Sequence, residues 1–489
     1  MIRVTRSAII DAPIERVWAI LRDFNSHAAW HPAVAESEIE GGEPSDQVGC
    51  VRRFTLRDGH RVREQLLALS DREHVSTYCI LDATLPMRRY VATVQLKRVT
   101  DGERTFWHWE STFEAPPARA LELAELVGTG VYEAGFEGLR THLRRPPRGL
   151  DRPAPPGVVP GAATVPAQGV VVTGFGGPDR LRYQSCPAPA PRRGEVRIQQ
   201  TAIGVNYIDV SVRTGQYRMI EPPAPLGMEA AGVVLDVGDG VAHLLPGDRV
   251  AYACTPPGAY VGVRTMPAHQ VVVLPDDVDD ETAAAVMLKG MTAEYLLHRT
   301  HRVGPGQTVL VHAAAGGVGL FLCQWAKALG ARVIGTVSSE AKARLARANG
   351  CDLLIVTPDY RFAHAVKEAT GERGVDVIYD GLGRAAVAEN LDTLALCGHW
   401  VSYGQASGPL DPVDANVLGS KSLTLSRPVL FHYTAERTAL TEIAQRVFAA
   451  LRDRVIRVEL RHRYPLAAAA DAHRDLEARR TTGPLVLLP

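Results

Sequence analysis

The sequence predicts a multidomain protein that joins an α+β module to an α/β module, and three observations lead to this fold class. Residues 1–145 alternate like strands of an antiparallel sheet and end in a long helical pattern. A proline-rich stretch follows at 146–166. From 167 onward, a glycine-rich loop stands between a strand and a helix, and strands then alternate with helices, which predicts a parallel sheet.

Length, charge and cysteine usage narrow the class of protein. The 489 residues exceed what one core usually holds, so two or three domains are expected. A formal net charge of zero argues against nucleic acid as a partner, and no apolar run approaches the roughly 20 residues that span a membrane. The 7 cysteines are scattered without a C-x-x-C pair, which indicates a reduced, cytoplasmic protein without disulfides.

The first module has the pattern of a curved sheet that grips a helix. Arg3 to Ile10 alternates like a strand, and Asp11-Ala-Pro13 is a helix start with a cap and a proline in the first turn. Alternating segments, separated by turn signals such as Asp58-Gly59, then run to Phe113. The apolar pattern from Pro117 to Leu143 has a helical period and predicts one long terminal helix.

Parts of this module resemble the START/polyketide-cyclase (SRPBCC) superfamily. They are the stretch from Ala8 to Trp18, with the sequence AIIDAPIERVW, the Trp30-His31-Pro32 turn and the long last helix. The resemblance implies a helix-grip fold with an apolar cavity between the sheet and the terminal helix, suited to a hydrophobic or aromatic ligand. Some members of the superfamily cyclise or dehydrate polyketides, whereas many only bind or carry a ligand.

A set of polar side chains is placed to line such a cavity. A catalytic histidine or carboxylate among them would need burial and a partner that tunes its pKa. Alternatively, they face solvent or complete the rim of a passive pocket, because the pattern alone does not show which face of a strand points inward. Trp107 and Trp109 share one strand face and are expected in the cavity wall or core. The polar candidates are His31, Arg53, Glu64, Tyr78, His108 and Glu110.

The stretch at 146–166 is expected to connect the modules without a core of its own. Prolines recur through it, and no apolar periodicity survives. An extended connector of this kind keeps a ligand that one module releases near the other module.

The α/β module is organised around the segment from Val309 to Leu320. A β-branched apolar run leads into a loop of small residues and then an amphipathic helix, as in the nucleotide-binding turn of a Rossmann fold. The G-x-G-x-x-G pattern is relaxed, because an alanine takes the first glycine position. The alternative is a tight turn that binds nothing. The residues expected to bring backbone N–H groups to a pyrophosphate are Ala314, Gly316, Gly317, Val318 and Gly319.

A series of motifs in this module resembles the zinc-free quinone oxidoreductase, or zeta-crystallin-like, branch of the medium-chain dehydrogenase/reductase superfamily. The resemblance implies a GroES-like catalytic domain, split over 167–288 and 425–489, around a Rossmann domain at 289–424 with a doubly wound parallel sheet. It also implies a homodimer. The matching motifs are Asn206-x-x-Asp209, Gly227-x-Glu229-x-x-Gly232, Pro246-Gly-Asp-Arg-Val250, Lys289-Gly-Met-Thr-Ala293, His312-Ala-Ala-Ala-Gly-Gly-Val-Gly319, Tyr403-Gly-Gln405 and Arg479-x-Thr-x-Gly483.

The residues near the zinc-binding positions of the superfamily indicate that no metal is bound. Zinc-dependent members use a cysteine after the first polar loop and a histidine in a G-H-E motif. This chain has Asn206 and Met228 in those regions, and neither is an effective zinc ligand.

The end of the second predicted strand of the α/β module favours NADPH over NADH. A carboxylate that binds the ribose 2′-hydroxyl would stand there, but the segment is Val337-Ser338-Ser339, and Lys342 follows in the first helical turn. A small hydroxyl and a lysine suit a 2′-phosphate, although Glu340 would repel it. The alternative is that Lys342 is only a solvated helix residue. The resemblance implies that Tyr360 and Arg479 join Ser338 and Lys342 in holding this phosphate.

The resemblance also implies hydride transfer to a quinone or an α,β-unsaturated ketone. A conjugated acceptor delocalises the developing charge, so the protein mainly orients nicotinamide and substrate. Tyr207 and Tyr217 either donate a proton or hydrogen bond to the acceptor oxygen or pack in an apolar substrate pocket. The matched positions near the reacting ring are Asn206, Thr292 and Gln405, with Gly404 beside the cofactor.

Three interpretations of the whole chain remain open. In the first, the chain is an NADPH-dependent oxidoreductase with a ligand-binding N-terminal module. In the second, that module is itself a cyclase or dehydratase, and the chain is a bifunctional tailoring enzyme for polyketide-like aromatics. In the third, the module is only a carrier or sensor, and the reductase is weakly active.

Overall fold

The computed structural model describes residues 1–100, 104–144, 162–241 and 243–489. The chain divides into two compact units, Met1–Arg148 and Gly149–Pro489, and each has its own core. Among the described residues, no helix has the length and apolar character needed to cross a membrane.

Most of the predicted linker at 146–166 lies outside the described residues. The end of that stretch is described, and there Thr164–Val165 forms a short strand that pairs antiparallel with Ala188–Pro189. The side chain of Val165 is buried in a small cluster with Leu235 and Val263, so regular structure of the second unit begins before residue 166.

The first unit is a seven-stranded antiparallel sheet with a helical C-terminal segment. Its strands are β1 (Ile2–Ile10), β2 (Val34–Ile39), β3 (Val51–Leu56), β4 (Arg61–Ser70), β5 (Val75–Ala83), β6 (Arg88–Val99) and β7 (Arg104–Glu114). They are ordered β1-β7-β6-β5-β4-β3-β2 across the sheet. The helices are α1 (Ile14–Leu21), α2 (His27–Trp30), α3 (Ala120–Glu125) and α4 (Ala134–Arg144).

Strand β7 illustrates how the sheet acquires one apolar face. Alternate residues from Thr105 to Phe113 are buried, as the period of two in a strand requires. Trp109 stacks on Tyr132 of the helical segment with ring centroids 4.4 Å apart, and Trp107 meets Phe136 edge-on at 4.8 Å. Both tryptophans therefore lie in the core, as the sequence predicts.

The terminal segment differs from the one regular helix that the sequence predicts. Leu126–Glu133, between α3 and α4, is π-helical. Glycines let the terminal helical segment approach its neighbours closely. A Cβ at Gly128 would lie 2.7 Å from the Arg6 guanidinium, and a Cβ at Gly138, in α4, would clash with the Trp30 carbonyl oxygen. An apolar period near that of an α-helix does not reveal such a segment, because the local packing decides the helix type.

The second unit begins with a β domain. Strand β12 is its centre and pairs with three others, and α6 leads from it to a parallel sheet. The elements are β8 (Thr164–Val165), β9 (Gln168–Val172), β10 (Leu181–Ser185), β11 (Ala188–Pro189), β12 (Glu195–Val205), α5 (Tyr207–Thr214), β13 (Ala224–Pro225), β14 (Glu229–Val237), β15 (Arg249–Ala253), β16 (Val263–Pro267), β17 (Val272–Val273) and α6 (Asp280–Tyr295).

A six-stranded sheet with parallel pairings forms the α/β domain. Its strands are β18 (Thr308–Val311), β19 (Arg332–Val337), β20 (Leu353–Val356), β21 (Val375–Asp380), β22 (Leu394–Ser402) and β23 (Thr424–Ser426), in the order β20-β19-β18-β21-β22-β23. Helices α7 (Gly317–Ala328), α8 (Glu340–Ala348), α9 (Ala363–Ala369), α10 (Val387–Thr393) and α11 (Ala415–Gly419) connect them. The chain builds the sheet outward from β18, first to one side through β19 and β20 and then to the other side from β21 onward. Doubly wound sheets bind ligands at the carboxyl edge beside the strand where this change of direction occurs.

The chain then returns to the β domain, where its last strand pairs with β12. The predicted boundary at 288 falls inside α6, and the one at 425 falls inside β23. Helix α6 is buried along most of its length against both domains, so no change in its apolar pattern marks a boundary. The returning elements are α12 (Leu430–Tyr433), α13 (Arg437–Arg452), β24 (His462–Pro465), α14 (Ala469–Glu477) and β25 (Leu485–Leu488).

Candidate functional site

The glycine-rich loop joins β18 to α7 at the carboxyl edge of the parallel sheet. Ala313 has a positive φ of 49°, and the Gly316 N–H donates to its carbonyl oxygen at 2.7 Å. A Cβ at Gly319 would clash with that same oxygen, so the tight loop requires glycine there. No described side chain caps α7, and its first N–H groups are therefore available to a ligand.

Beneath this loop lies a buried polar network that holds it in place. His312 directly follows β18, and its ring nitrogens contact Thr336 Oγ1 at 2.8 Å and Asn390 Oδ1 at 2.7 Å. Burial lowers the pKa of His312, so the ring is neutral and acts as a structural bridge. The Asn390 amide in turn donates to buried Asp380.

The four residues expected at a 2′-phosphate line the same cleft as the loop. Lys342 Nζ donates to the Arg479 carbonyl oxygen at 2.9 Å, and the Arg479 guanidinium donates to the Tyr360 hydroxyl and lies 5.6 Å from the centre of its ring. Desolvation and the nearby Arg479 charge lower the pKa of Lys342. Ser338 lies beside them at the end of β19, whereas Glu340 is exposed and does not line the cleft.

The returning C-terminal segment closes one side of the cleft. Gly483 forms a parallel bridge with Gly316, and the Gly483 N–H donates to the Ala315 carbonyl oxygen at 3.0 Å. This pairing brings the segment that carries Arg479 to the glycine-rich loop.

Next to the cleft is a cavity of about 590 Å³ with mostly apolar walls. Asn206 lies in it, and its amide nitrogen donates to the buried Glu229 carboxylate at 2.8 Å. The Lys289 ammonium pairs with the same carboxylate, and the Leu288 N–H donates to its other oxygen at 2.6 Å. The expected residues that line this cavity are Asn206, Tyr207, Tyr217, Thr292, Gly316, Gly317, Val318, Gly319, Gly404 and Gln405.

The two tyrosines of the cavity have different surroundings. The Tyr217 hydroxyl donates to Gln405 Oε1 at 3.0 Å and accepts from Arg427 Nη2 at 3.0 Å. The Tyr207 hydroxyl donates to the Ala406 carbonyl oxygen at 3.1 Å. Burial raises the pKa of Tyr207.

Residues outside the expected set also reach the cavity, chiefly Lys289 and Arg427. Lys289 belongs to a matching motif, although its pairing with Glu229 depends on a long-range contact that no local pattern reveals. Arg427 directly follows β23 at the carboxyl edge of the sheet. The rule that ligands bind at this edge provides the signal that could have identified it.

The regions of the predicted zinc positions hold no thiolate or histidine. Asn206 is bonded to Glu229, and Met228 is buried. The described part of the chain contains no group of three or more His, Cys, Asp or Glu residues placed to hold a metal ion. The absence of a bound metal stays a prediction.

A second cavity lies in the first unit, between its sheet and terminal helical segment. Arg52 and Glu64 form an ion pair there, and both side chains are buried. Arg52 also contacts His27 Nδ1 at 2.7 Å and lies 4.0 Å from the centre of the Phe24 ring. Burial lowers the pKa of His27, lowers that of His31 to about 4 and raises that of Glu64.

Only some of the polar candidates of the first unit face this cavity. His31, Glu64 and Tyr78 line it. Arg53 instead pairs with Glu38 on the surface, while Glu110 pairs with Arg3 and lies 3.7 Å from His108. For Arg53, His108 and Glu110 the alternative applies, that they lie outside the cavity, because alternation along β3 and β7 turns their neighbours inward. Arg52 and His27 are the residues that the sequence pattern missed.

Comparison with known families agrees with the division into units. Residues 1–144 match the model described as polyketide cyclase / dehydrase and lipid transport. Residues 192–308 match the alcohol dehydrogenase GroES-like domain, and residues 317–445 match the zinc-binding dehydrogenase model.

Individual relatives match the second unit over all or nearly all of their length. A quinone oxidoreductase of Pseudomonas aeruginosa is 45% identical over 324 residues, which are 66% of this chain and 100% of that protein. A 2-haloacrylate reductase of a Burkholderia species is 44% identical over 323 residues, covering 64% of this chain and 96% of that protein.

Solved structures agree with these sequence relatives. The quinone oxidoreductase of Escherichia coli, crystallised in complex with NADPH, has a TM-score of 0.64 and 40% identity, covering 66% of this chain and 100% of that one. The quinone oxidoreductase of Pseudomonas syringae pv. tomato has a TM-score of 0.65, 42% identity and the same coverage. The predicted fold class is confirmed. The chain therefore belongs to the quinone oxidoreductase family of medium-chain dehydrogenases/reductases, and it carries a polyketide cyclase-like module ahead of the family's own domains.

Proposed function

We propose that the chain transfers hydride from NADPH to a quinone or an α,β-unsaturated ketone, without zinc. The observation that carries this proposal is that a cationic cleft and a mostly apolar cavity adjoin each other. The cationic glycine-loop cleft and the mostly apolar cavity share Tyr207, Ala313, Gly316 and Gly317 in their walls. A nicotinamide dinucleotide has a phosphate-rich part, which suits the cationic cleft, and a reactive ring, which suits the mostly apolar cavity.

The residues of the cleft fit the phosphates of NADPH. A Cβ at Gly316 would lie 3.1 Å from the Ala313 carbonyl oxygen, and the loop is bare of side chains where α7 begins. We assign the pyrophosphate to Gly316, Gly317, Val318 and Gly319, the 2′-phosphate to Ser338, Lys342, Tyr360 and Arg479, and the nicotinamide end to Thr292, Gly404 and Gln405. Ala314, which the sequence also favours, is fully buried, and its N–H donates to the Thr336 carbonyl oxygen at 3.1 Å, so we leave it out of this set. The E. coli relative was crystallised in complex with NADPH, which supports NADPH as the cofactor.

When bound, NADPH supplies the hydride that reduces the acceptor. The chain itself supplies a hydrogen bond or proton to the acceptor oxygen. We assign Tyr217 as the donor, because its hydroxyl lies between the Gln405 and Arg427 side chains, whereas the Tyr207 hydroxyl donates to a backbone carbonyl oxygen. The raised pKa of Tyr207 makes that hydroxyl a weaker acid. Asn206 is oriented by its bond to Glu229 at the cavity wall.

Side chains at the cavity wall support the zinc-independent part of the proposal, and the conjugated substrate of a relative supports the acceptor class. The Glu229 carboxylate is already bonded by Asn206 and Lys289, and Met228 is a poor ligand for zinc. One relative is a 2-haloacrylate reductase, and a 2-haloacrylate is an electron-poor conjugated alkene. Metal at one equivalent per chain in the purified active protein would contradict the zinc-independent part of this proposal.

We also propose a cytoplasmic location and a homodimer. All 7 cysteines are free thiols, which suits a reducing compartment. Strand β23 is an edge of the parallel sheet and offers backbone groups on one side to a second copy. Light scattering of the full chain at micromolar concentration tests the dimer, and the mass of a monomer would contradict it.

The direct test of the reductase is a panel of quinones and enones followed by the loss of NADPH absorbance. The full chain is expected to oxidise NADPH with at least one acceptor of this class at a rate far above the protein-free control. Binding of NADPH without turnover of any quinone or enone would overturn the proposal.

A second candidate function concerns the N-terminal module, which we propose binds a hydrophobic or aromatic ligand. The buried Arg52–Glu64 pair, with His27 in contact with Arg52, favours the interpretation as a cyclase or dehydratase. Burying such a pair costs more free energy than apolar packing of similar volume, so stability alone does not explain it. In the alternative, the module is a passive carrier or sensor.

Substitution in the full chain separates these two possibilities. A poly-β-ketone substrate is incubated with wild type, Glu64→Gln and the control Glu110→Gln, whose residue lies outside the cavity. Formation of a cyclised product that only Glu64→Gln abolishes supports catalysis. Ligand binding with no conversion by wild type supports the carrier.

A further inference from the structure

The acceptor cavity contains a cation that no described carboxylate balances. The charged residues of its wall are Lys289 and Arg427. Lys289 forms a buried ion pair with Glu229, so its charge is neutralised within the protein. Arg427 is exposed at the cavity, and within the described ranges no carboxylate lies at ion-pair distance from it. The cavity therefore presents one net positive charge to its contents.

The structure holds the Arg427 guanidinium in a defined position. Its Nη1 donates to the Ser402 carbonyl oxygen at 2.9 Å, and its Nη2 donates to the Tyr217 hydroxyl at 3.0 Å. These contacts use part of the five N–H donors of a guanidinium, and the remainder are available to a ligand. A planar guanidinium held in this way is suited to bidentate binding of a carboxylate.

The rest of the wall is suited to an apolar, conjugated body. Pro428, Val429, Leu430 and Phe431 follow Arg427 directly and line the same cavity, and Tyr295 lies in the wall as well. An acceptor that fits both features has an extended apolar skeleton and one anionic substituent.

We propose that Arg427 selects acceptors that carry a carboxylate in addition to their conjugated carbonyl group. This inference rests on the proposed hydride transfer and narrows its substrate class. A neutral quinone or enone would make no charge-assisted contact with the free N–H donors of Arg427. A carboxylate-bearing acceptor would pair with it while its carbonyl oxygen remains within the cavity that also contains Tyr217.

The test compares a matched acid and ester in wild type, Arg427→Gln and Arg427→Lys. The acceptors are 4-(4-carboxyphenyl)but-3-en-2-one and its methyl ester, which differ mainly in charge. Arg427→Gln is expected to lower the acid-to-ester ratio of kcat/KM by about 10- to 100-fold, mostly through KM for the acid. Any loss that arises from the contact between Arg427 and Tyr217 affects both acceptors and cancels in this ratio. Arg427→Lys should retain part of the preference for the acid. Equal losses for acid and ester would overturn the proposal and leave Arg427 as a residue that only positions Tyr217.

Binding without turnover separates this inference from the proposed function. The saturated ketone 4-(4-carboxyphenyl)butan-2-one and its methyl ester are titrated calorimetrically into the full chain with NADP⁺ present. Tighter binding of the acid that Arg427→Gln removes supports the inference, even if no acceptor is reduced and the proposed function fails. Reduction of the enone ester, with equal binding of the saturated acid and ester, supports the function and overturns the inference.

Discussion

At the scale of single residues, we propose that Lys342 and Arg479 determine the choice of cofactor. Their positive groups are brought together by the bond between Lys342 Nζ and the Arg479 carbonyl oxygen. No carboxylate forms an ion pair with either of them in the part of the chain that the structure describes. A 2′-phosphate would supply the missing negative charge and accept hydrogen bonds from both.

Removal of the Arg479 side chain is therefore expected to weaken NADPH selectively. Arg479→Ala should raise the Kd for NADPH by about 10- to 100-fold and change the Kd for NADH by less than about threefold. Fluorescence titration measures both constants. Arg480→Ala is the matched control, because this neighbour is exposed and pairs with Asp475. Equal weakening of both cofactors by Arg479→Ala would contradict the assignment.

The two tyrosines of the cavity give a second prediction at this scale. Tyr217→Phe removes the proposed donor hydroxyl, which Arg427 contacts, and kcat should fall by about tenfold or more with a changed solvent deuterium isotope effect. Tyr207→Phe removes a hydroxyl that donates to a backbone carbonyl and should change kcat by less than about threefold. A larger loss in Tyr207→Phe would reverse the assignment of the donor.

At the scale of elements, the first turn of α5 contains a buried carboxylate, Asp209, that bonds to Asn206 of the cavity wall. Asp209 accepts from the Asn206 N–H at 2.8 Å and from the Tyr260 hydroxyl at 3.1 Å, while its other oxygen is buried without a hydrogen-bond partner. Burial raises the pKa of Asp209 from 3.8 to about 7. Below about pH 7, the folded chain therefore favours the protonated form of Asp209. The unfolded chain releases this proton near pH 3.8.

This shift predicts a pH dependence of stability. A raised carboxyl pKa stabilises the folded state at low pH, and the contribution is lost as pH rises from 3.8 toward 7. Between pH 5 and pH 8, the unfolding free energy of wild type should fall by about 2–3 kcal/mol more than that of Asp209→Asn, which lacks the titration. Urea unfolding at both values measures the difference. Identical pH dependence of the two proteins would show that Asp209 is ionised throughout.

At the scale of elements, sequence patterns are sufficient to predict some features of the fold and the site but not others. The strand, loop and helix around Gly316 follow from local residues alone, because turn chemistry and helix periodicity are local properties. Local residues do not show which of Arg52 and Arg53 faces the cavity. A strand places neighbouring residues on opposite faces, and only the completed sheet decides which face points inward. The Glu229–Lys289 pair likewise joins residues far apart in the chain.

At the scale of the whole molecule, two units with separate cores lie on one chain. Composition reveals this division, because the proline-rich stretch interrupts all apolar periodicity. It does not reveal the limits of the two domains within the second unit, since α6 is buried in both and β23 belongs to the parallel sheet. The relatives correspond to the second unit, so the reductase chemistry belongs there.

The most direct test of the central proposal is kcat/KM of the full chain for NADPH and for NADH with one accepted quinone. The cationic cleft of Lys342 and Arg479 predicts a preference for NADPH of about 100-fold or more, as two charge-assisted contacts to a phosphate provide. Equal values for the two cofactors, or a preference for NADH, would contradict NADPH-dependent hydride transfer at this site.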